Sequence, residues 1–129
     1  MNKFEAKIEI RFADIDAMGH VNNATYFTYF EQARMAFFRE KIGRNWNWES
    51  DGLIVARNEI DYKRPVYLQD NMSIFLWVDQ VGNKSFTVCY EVVVGDSICA
   101  VGKSVLVAFN HKMRETQEIP TLWRAAFIS

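Results

Sequence analysis

The feature that most constrains the fold is a run of aromatic residues at helical spacing, with strand-like alternation on both sides of it. Positions i, i+4, i+7 and i+11 of this run carry Tyr26, Phe30, Ala33 and Phe37, and Phe27 and Phe38 widen the stripe. Such spacing predicts a helix with one apolar face. Asparagine favours helix starts and glycine favours helix ends, so the helix is expected to begin at Asn22 or Asn23 and to end near Gly43. About twenty residues at 1.5 Å each give a helix about 30 Å long.

The rest of the chain alternates between apolar and polar residues, as half-buried strands do. Residues 3–12 form the first such segment, and its apolar side holds Phe4, Ala6, Ile8, Ile10 and Phe12. Four more strands are predicted after the helix, at 53–62, 72–81, 86–94 and beyond a turn at Gly95-Asp96. Tight turns between long strands indicate antiparallel pairing. We therefore predict an α+β domain in which one sheet packs a face on one helix, with a short helical turn at 121–129.

The two cysteines are expected to stay reduced, as in a cytosolic protein. If Gly95-Asp96 is a two-residue turn, Cys89 lies opposite Gly102 rather than Cys99, and no disulfide forms. In the same register, the last strand places three valines, Val101, Val105 and Val107, on one face of the sheet. The alternating apolar residues of the preceding strand lie on that same face.

Size and charge favour a single cytoplasmic domain. The chain has 129 residues, half of them hydrophobic, so residues 1–129 are expected to form one domain. The formal net charge is −1, which gives no overall field to attract nucleic acid or an anionic membrane. Residues 1–10 lack the apolar core of a signal peptide. No uncharged apolar run approaches the roughly 18 residues that cross a bilayer.

Several common chemistries have no motif in this chain. His20 and His111 lie far apart in sequence and neither clusters with a cysteine, so no metal site is predicted. The chain lacks a G-x-S-x-G nucleophile elbow and a G-x-G-x-x-G dinucleotide fingerprint. The segment "VGKSV" at 101–105 alternates like a strand and lacks the spacing of a phosphate-binding loop. No cofactor is therefore expected.

The segment from Asp14 to Glu31 holds the remaining chemical groups, and from the residues alone two interpretations are open. In the first, the aspartates are turn residues, the asparagines are helix caps, and Glu31 is a solvated helix residue that pairs with a nearby cation. In the second, the helix N-terminus offers free N–H groups to a carbonyl oxygen that gains negative charge. A nearby carboxylate then attacks that carbonyl or deprotonates a water, and Gly19 permits the bend between them.

The motif "DIDAMGHVNNATYF", followed by "FEQAR", resembles the signature of hot-dog fold acyl-CoA thioesterases of the 4-hydroxybenzoyl-CoA thioesterase-like type. The segment "IDYKRPVYLQD" at 60–70 resembles the strand and turn that follow the helix in that family. The resemblance implies a five-stranded antiparallel sheet wrapped around one long central helix. It also implies homodimers, often paired into tetramers, with active sites at the subunit interface. This agrees with the apolar sheet surface that a single helix would leave uncovered.

The resemblance also implies roles for particular residues. Asp16 lies where the family has its catalytic carboxylate, acting as general base or nucleophile, and Asn23 lies where a backbone N–H polarises the thioester carbonyl. His20 and Glu31 fall within the motif and are further catalytic candidates. The predicted substrate contacts are Gly19, Val21, Asn22, Tyr26, Asn58, Arg57 and Arg64. Basic residues must meet the CoA phosphates, and the candidates are Arg57, Lys63, Arg64, Lys112 and Arg114.

The leading hypothesis is therefore hydrolysis of acyl-CoA to a free acid and CoA, with CoA as part of the substrate. One alternative is a non-catalytic module that binds or senses acyl-CoA, against which the carboxylate of Asp16 argues. Another is a hot-dog hydratase or dehydratase, although the helix lacks the D-x-x-x-x-H run of such enzymes. The sequence leaves the acyl group open, since Trp46 and Trp48 suit a fatty or aryl chain but equally suit the core.

Overall fold

The order of helices and strands matches the predicted α+β domain. The computed structural model describes residues 2–128. Its strands are β1 (Phe4–Ile8), β2 (Gly52–Tyr62), β3 (Met72–Asp79), β4 (Ser85–Val94), β5 (Ser97–Asn110) and β6 (Glu115–Thr116). Its helices are α1 (Thr25–Lys41) and α2 (Thr121–Phe127), and a single 3-10 turn spans Phe12–Asp14.

The strands form one antiparallel sheet in the order β1-β3-β4-β5-β2. The five predicted strands are all present, and β6 adds a two-residue sixth strand that pairs with the end of β5. Among the residues that the structure describes, β2 is hydrogen-bonded on one side only. The sheet therefore has a long free edge formed by eleven residues.

Helix α1 packs its aromatic stripe on the sheet as predicted. Phe30 and Ala33 are fully buried, and Phe30 stacks on Tyr90 of β4 with ring centroids 4.0 Å apart. The helix has 17 residues, slightly fewer than predicted. It ends as predicted, because Gly43 has a φ of +122° and its N–H donates to the carbonyl of Phe38.

The prediction that Asn22 or Asn23 caps α1 is wrong. The N-cap position is Ala24, whose backbone is helical, and it has no side-chain cap. The side-chain oxygen of Asn22 instead accepts a hydrogen bond from the N–H of Ala24 at 2.9 Å. The backbone carbonyl of Asn22 accepts from the N–H of Thr25 at 3.0 Å. Asparagine thus makes a local turn immediately before the helix, a use that competes with capping.

The predicted register of the β4–β5 hairpin is wrong by one residue. The turn pairs Val94 with Ser97 as expected, but an irregularity between Val92 and Val93 leaves Cys99 as an extra residue in β5. Cys89 therefore lies opposite Lys103. The shift also reverses the faces of β5, so that its buried residues are Cys99, Ala100, Gly102, Ser104, Leu106 and Ala108. Both cysteines are free, as predicted.

The first strand is shorter than predicted. It ends at Ile8, and Ile10 remains buried beyond it. Phe12, which alternation assigns to the inner face, begins the 3-10 turn and is 82% exposed. The change from strand to turn rotates its side chain away from the core.

The C-terminal helix closes an aromatic cluster at one end of the core. Trp123 of α2 is fully buried, and its ring lies 5.0 Å from Phe38 and about 6 Å from Trp46, Trp48 and Phe86. Trp46 and Trp48 pack against the core from the segment that follows α1. Neither α1 nor α2 has both the length and the apolar composition of a bilayer-crossing segment.

Candidate active site

The loop before α1 is a tight reversal that brings Asp16 close to the helix. Ile15 and Val21 form an isolated antiparallel bridge. Within it, the N–H of Asp16 donates to the carbonyl of His20 at 3.0 Å, and the N–H of Gly19 donates to the carbonyl of Asp16 at 3.0 Å. Gly19 has a φ of +88°, a conformation that glycine adopts without strain. The bend predicted at Gly19 is therefore present.

The carboxylate of Asp16 is half-buried and held by two donors. Its Oδ1 accepts from the N–H of Met18 at 2.9 Å, and its Oδ2 accepts from Nδ2 of Asn22 at 3.3 Å. The other end of the Asn22 amide accepts from Ala24, as described above. Asn22 thus connects the carboxylate to the first turn of the helix, with both ends of its side chain engaged.

Asp14, the first aspartate of the motif, has a structural place in the loop. Its carboxylate is buried and accepts from the backbone N–H of Arg11 at 3.0 Å, the Arg11 guanidinium at 3.1 Å and the Tyr29 hydroxyl at 2.7 Å. Burial alone would raise the pKa of Asp14, but these hydrogen bonds together outweigh burial and hold the pKa below its ordinary value. The loop is thereby fixed to α1 through Tyr29.

Asp14→Asn is expected to destabilise the protein by about 1–3 kcal/mol at pH 7, because an amide nitrogen replaces one acceptor oxygen and leaves a buried donor unpaired. A lowered native pKa stabilises the fold fully above the ordinary aspartate pKa of about 3.9, and this stabilisation is lost as pH falls through the native value. Urea unfolding at pH 7, 5 and 3 should show the difference from wild type narrowing below about pH 4. Asp61→Asn, on the exposed outer face of β2, is the control. A difference that stays constant across this range would contradict the charge-dependent role.

A cavity of about 250 Å³ opens at the N-terminal end of α1. It is lined by His20, Val21, Asn23, Tyr26, Tyr62, Lys63, Arg64 and Pro65. The backbone N–H of Asn23 donates to no acceptor within residues 2–128, which leaves it available to a ligand. Lys63 and Arg64 add positive charge beside the helix N-terminus, so the cavity suits an electron-rich or anionic group.

Several of the predicted residues shape the cavity wall. Val21 is buried, and its N–H donates to the carbonyl of Val66 at 2.8 Å. Tyr26 is also buried, and burial raises the pKa of its hydroxyl to about 12, so it stays neutral. His20 is half-buried, with Nδ1 3.1 Å from the carbonyl of Val21. These contacts hold the wall next to the loop that carries Asp16.

Other predicted residues lie elsewhere in the single chain. Glu31 is exposed and borders a separate depression beside Lys7 and Arg39. Arg57 is exposed on β2 and forms an ion pair with Glu59 at 3.2 Å. Lys112 and Arg114 lie in the turn between β5 and β6. The structure leaves these four apart and groups nine other predicted residues, namely Asp16, Gly19, His20, Val21, Asn22, Asn23, Tyr26, Lys63 and Arg64.

Asn58 lies at the end of a buried chain of hydrogen bonds. Arg34 of α1 donates to the Tyr90 hydroxyl at 3.0 Å, Tyr90 donates to Ser104 at 3.0 Å, and Ser104 donates to Oδ1 of Asn58 at 2.6 Å. Arg34 is 5% exposed and Ser104 is fully buried, whereas Asn58 is exposed on the edge strand. The chain fixes the orientation of the Asn58 amide.

Tyr62 is a cavity residue that was not predicted from the sequence. Its hydroxyl donates to the backbone carbonyl of Asn23 at 2.6 Å. No local pattern could have identified this contact, because the two residues are 39 positions apart in sequence. The only indication was its place at the end of a predicted strand immediately before Lys63 and Arg64.

The arrangement is suited to acyl transfer by side-chain and backbone groups. Within residues 2–128, no three His, Cys, Asp or Glu side chains are grouped to hold a metal ion. A larger depression of about 710 Å³ lies beside β1, but Glu5, Glu9 and Asp70 line it and would repel a phosphate. The cavity at α1 instead combines an oriented carboxylate nearby, a free backbone donor and two cations.

Comparisons with known proteins agree with this chemistry. Residues 10–127 match the sequence profile of the thioesterase-like superfamily. YsmA of Bacillus subtilis (strain 168), an uncharacterized protein, is 33% identical over 108 residues, which cover 81% of this chain and 71% of YsmA. The long-chain acyl-CoA thioesterase FadM of Escherichia coli (strain K12) is 29% identical over 82 residues. That match covers 63% of this chain and 62% of FadM, less than two thirds of either.

A solved structure shows the same fold over nearly the whole chain. A thioesterase of Thermus thermophilus, whose crystal structure contains coenzyme A and Zn, is 31% identical in sequence. It superposes with a TM-score of 0.83 over 95% of this chain and 90% of its own. The hot-dog arrangement of helix and sheet is therefore shared with a protein of known structure.

Proposed function

The chain belongs to the thioesterase-like superfamily, and from this we propose that it hydrolyses acyl-CoA thioesters to a free acid and CoA. One observation carries the proposal. The carboxylate of Asp16 and the free N–H of Asn23 lie at the same end of α1, linked through the side chain of Asn22. A base and an oxyanion donor in one place are the two groups that hydrolysis of a thioester requires.

In the proposed reaction, the thioester carbonyl lies in the cavity with its oxygen toward the N–H of Asn23. Asp16 takes a proton from a water as that water attacks the carbonyl carbon. Negative charge moves to the carbonyl oxygen, where the Asn23 N–H and the positive end of α1 stabilise it. The tetrahedral intermediate then collapses, the carbon–sulfur bond breaks, and CoA leaves as a thiolate that is protonated.

Asp16 can alternatively attack the carbonyl itself and form a mixed anhydride that water then hydrolyses. Both oxygens of Asp16 keep a lone pair beyond their single donor, so either oxygen can accept a proton or attack a carbonyl. A single turnover in H₂¹⁸O gives a positive signature of the second route. Label in the carboxylate of Asp16 shows that Asp16 attacked the thioester and that water then cleaved the anhydride at the aspartyl carbon. Attack by water on the thioester, or on the acyl carbon of the anhydride, places the label in the released acid instead.

The cations of the cavity are proposed to receive the CoA phosphates. Arg64→Ala is expected to raise KM for acyl-CoA about tenfold at low salt and to leave kcat within about twofold, since the lost attraction acts on binding. The increase should shrink in 0.5 M salt, because salt screens charges separated by more than a few ångströms. Steady-state kinetics at two salt concentrations measure both effects. Arg44→Ala, at an exposed position after α1, is the matched control, and an unchanged KM for Arg64→Ala would contradict the assignment.

The protein is proposed to act in the cytoplasm as a homodimer, with a tetramer formed by two such dimers as the next assembly. The free edge of β2 supports self-association, since Ile54, Val55 and Tyr62 on this strand are each more than a third exposed. An unpaired edge with apolar side chains is a common site of strand addition. Sedimentation of the purified protein measures the state directly.

The experiment that tests the proposed function is a thiol-release assay. Wild-type protein is incubated with short-chain, long-chain and aromatic acyl-CoAs, and free CoA is followed with a thiol reagent. Release with at least one class is expected, and the preferred class identifies the acyl group. Tight binding of every acyl-CoA without thiol release would instead indicate a binding module.

A further inference from the structure

The last residue of β2 and the segment that follows it hold the turn before α1 at two points. At one point, the carbonyl of Val66 accepts from the N–H of Val21 at 2.8 Å. At the other, the hydroxyl of Tyr62 donates to the carbonyl of Asn23 at 2.6 Å, a short hydrogen bond for two oxygens. The segment is itself anchored, because Lys63 and Arg64 both donate their N–H groups to the carbonyl of Cys99.

The second contact fixes one peptide unit on both sides. The peptide bond between Asn23 and Ala24 has its C=O held by Tyr62 and its N–H held by Oδ1 of Asn22. A peptide unit is planar, so holding both of its polar atoms fixes its orientation about the chain. The preceding unit, which carries the free N–H of Asn23, joins this one at the Cα of Asn23, and its own C=O accepts a hydrogen bond from the N–H of Thr25 at 3.0 Å.

Tyr62 is well placed to keep this hydrogen bond. It is the last residue of β2 and pairs with Ala100, and its ring packs edge-to-face on the buried Tyr26 at 5.2 Å. Burial raises the pKa of Tyr62, so the hydroxyl stays protonated and remains a donor. The ring is half exposed toward the cavity, of which Tyr62 forms part of the wall.

We propose that Tyr62 is a positioning residue for the hydrolysis, acting through the Asn23 peptide rather than on the substrate. Its hydroxyl keeps the Asn22–Ala24 turn in the orientation in which the Asn23 N–H points into the cavity. This role of Tyr62 rests on the proposed function, because it concerns the orientation of the proposed oxyanion donor, the N–H of Asn23. Catalytic donors act best when their orientation is set before the reaction begins.

The test is Tyr62→Phe, which keeps the ring and removes only the hydroxyl. We expect kcat for acyl-CoA hydrolysis to fall about tenfold, with KM within about twofold, because an imprecisely oriented donor weakens transition-state binding more than substrate binding. The pH dependence of kcat/KM should keep its wild-type shape, since no contact of Asp16 involves Tyr62. Tyr67→Phe is the matched control, as Tyr67 is equally exposed and its hydroxyl makes no hydrogen bond within residues 2–128.

A second measurement reports the conformation of the Asn22–Ala24 turn independently of enzymatic activity. In ¹H–¹⁵N spectra of isotope-labelled protein, the amides of Asn23 and Ala24 should shift or broaden in Tyr62→Phe and stay unchanged in Tyr67→Phe. The melting temperature of Tyr62→Phe should fall by no more than a few degrees, which would show that its lower activity does not come from unfolding. This combination is not produced by general destabilisation, which would move amides throughout the chain.

The possible outcomes distinguish failure of the role proposed for Tyr62 from failure of the proposed function. If the wild type hydrolyses acyl-CoA and Tyr62→Phe retains its kcat, the inference is overturned and the proposed function stands. A kcat that falls only in proportion to an unfolded fraction would also overturn the inference. If the wild type releases no thiol from any acyl-CoA, the proposed function fails and the positioning role fails with it.

Discussion

Asp16→Asn is expected to lower kcat for acyl-CoA hydrolysis by about a hundredfold to ten-thousandfold. An amide can neither accept the proton of a water nor attack a carbonyl at a useful rate, so both routes proposed for Asp16 are lost. The substitution keeps the size of the side chain and an oxygen for the N–H of Met18. Release of CoA thiol, measured at saturating acyl-CoA, reports the loss, and KM should change much less than kcat.

The fold should survive this substitution, because the side chain of Asp16 is half-buried and its two hydrogen bonds lie at the surface. Urea unfolding of Asp16→Asn should therefore agree with wild type within about 1 kcal/mol. Asp96→Asn, in the exposed turn between β4 and β5, is the control for charge removal alone. Thiol release by Asp16→Asn at the wild-type rate would exclude Asp16 as base and as nucleophile.

Gly102→Ala is expected to destabilise the protein by about 2–3 kcal/mol and to lower its melting temperature by about 10 °C. A Cβ at this position would lie 2.6 Å and 2.7 Å from two ring carbons of Phe30 and 2.9 Å from the carbonyl oxygen of Glu59. The ring of Phe30 cannot move away freely, because it is fully buried and stacked on Tyr90. Removing a glycine usually stabilises a strand by about 0.5–1 kcal/mol, and the overpacking outweighs this gain.

A double-mutant cycle with Phe30→Leu tests the cause. Leucine lacks the two ring carbons that the new methyl group would approach, so Gly102→Ala should cost less in the Phe30→Leu background than in wild type. Gly82→Ala is the control, since its Cβ would lie no closer than 3.3 Å to another atom. Equal costs of Gly102→Ala in both backgrounds would show that the Phe30 ring is not the obstacle.

The parts of the fold that the sequence predicts are those with a local period. Buried Phe30 and Ala33 follow from helical spacing, and strands β2 to β5 follow from alternation and from the turn at Gly95-Asp96. The extra residue at Cys99 could not be predicted, because β5 carries apolar residues at both odd and even positions on either side of it. Alternation alone then fits two registers, and only packing against α1 selects one of them.

The candidate site was predictable where one short motif contains it. Asp16 and Asn23 belong to the same loop, so the motif and the helix end together indicate both as candidates. The role of Asn22 was not predictable, because capping and turn formation use the same side-chain oxygen and differ only in backbone conformation. Tyr62 joins the site across the fold through a contact with the Asn23 carbonyl. Such a contact depends on the register of β2, which no local pattern encodes.

The hydrogen-bond chain from Arg34 to Asn58 constrains how this sequence can diverge. Each of its middle members, Tyr90 and Ser104, both donates and accepts, so losing any one leaves a neighbour without a partner in the core. Replacing several members at once with apolar residues of similar volume can be neutral, whereas single steps are costly. Descendants of this protein should therefore keep the four residues as a set or exchange them together, and intermediates should be rare.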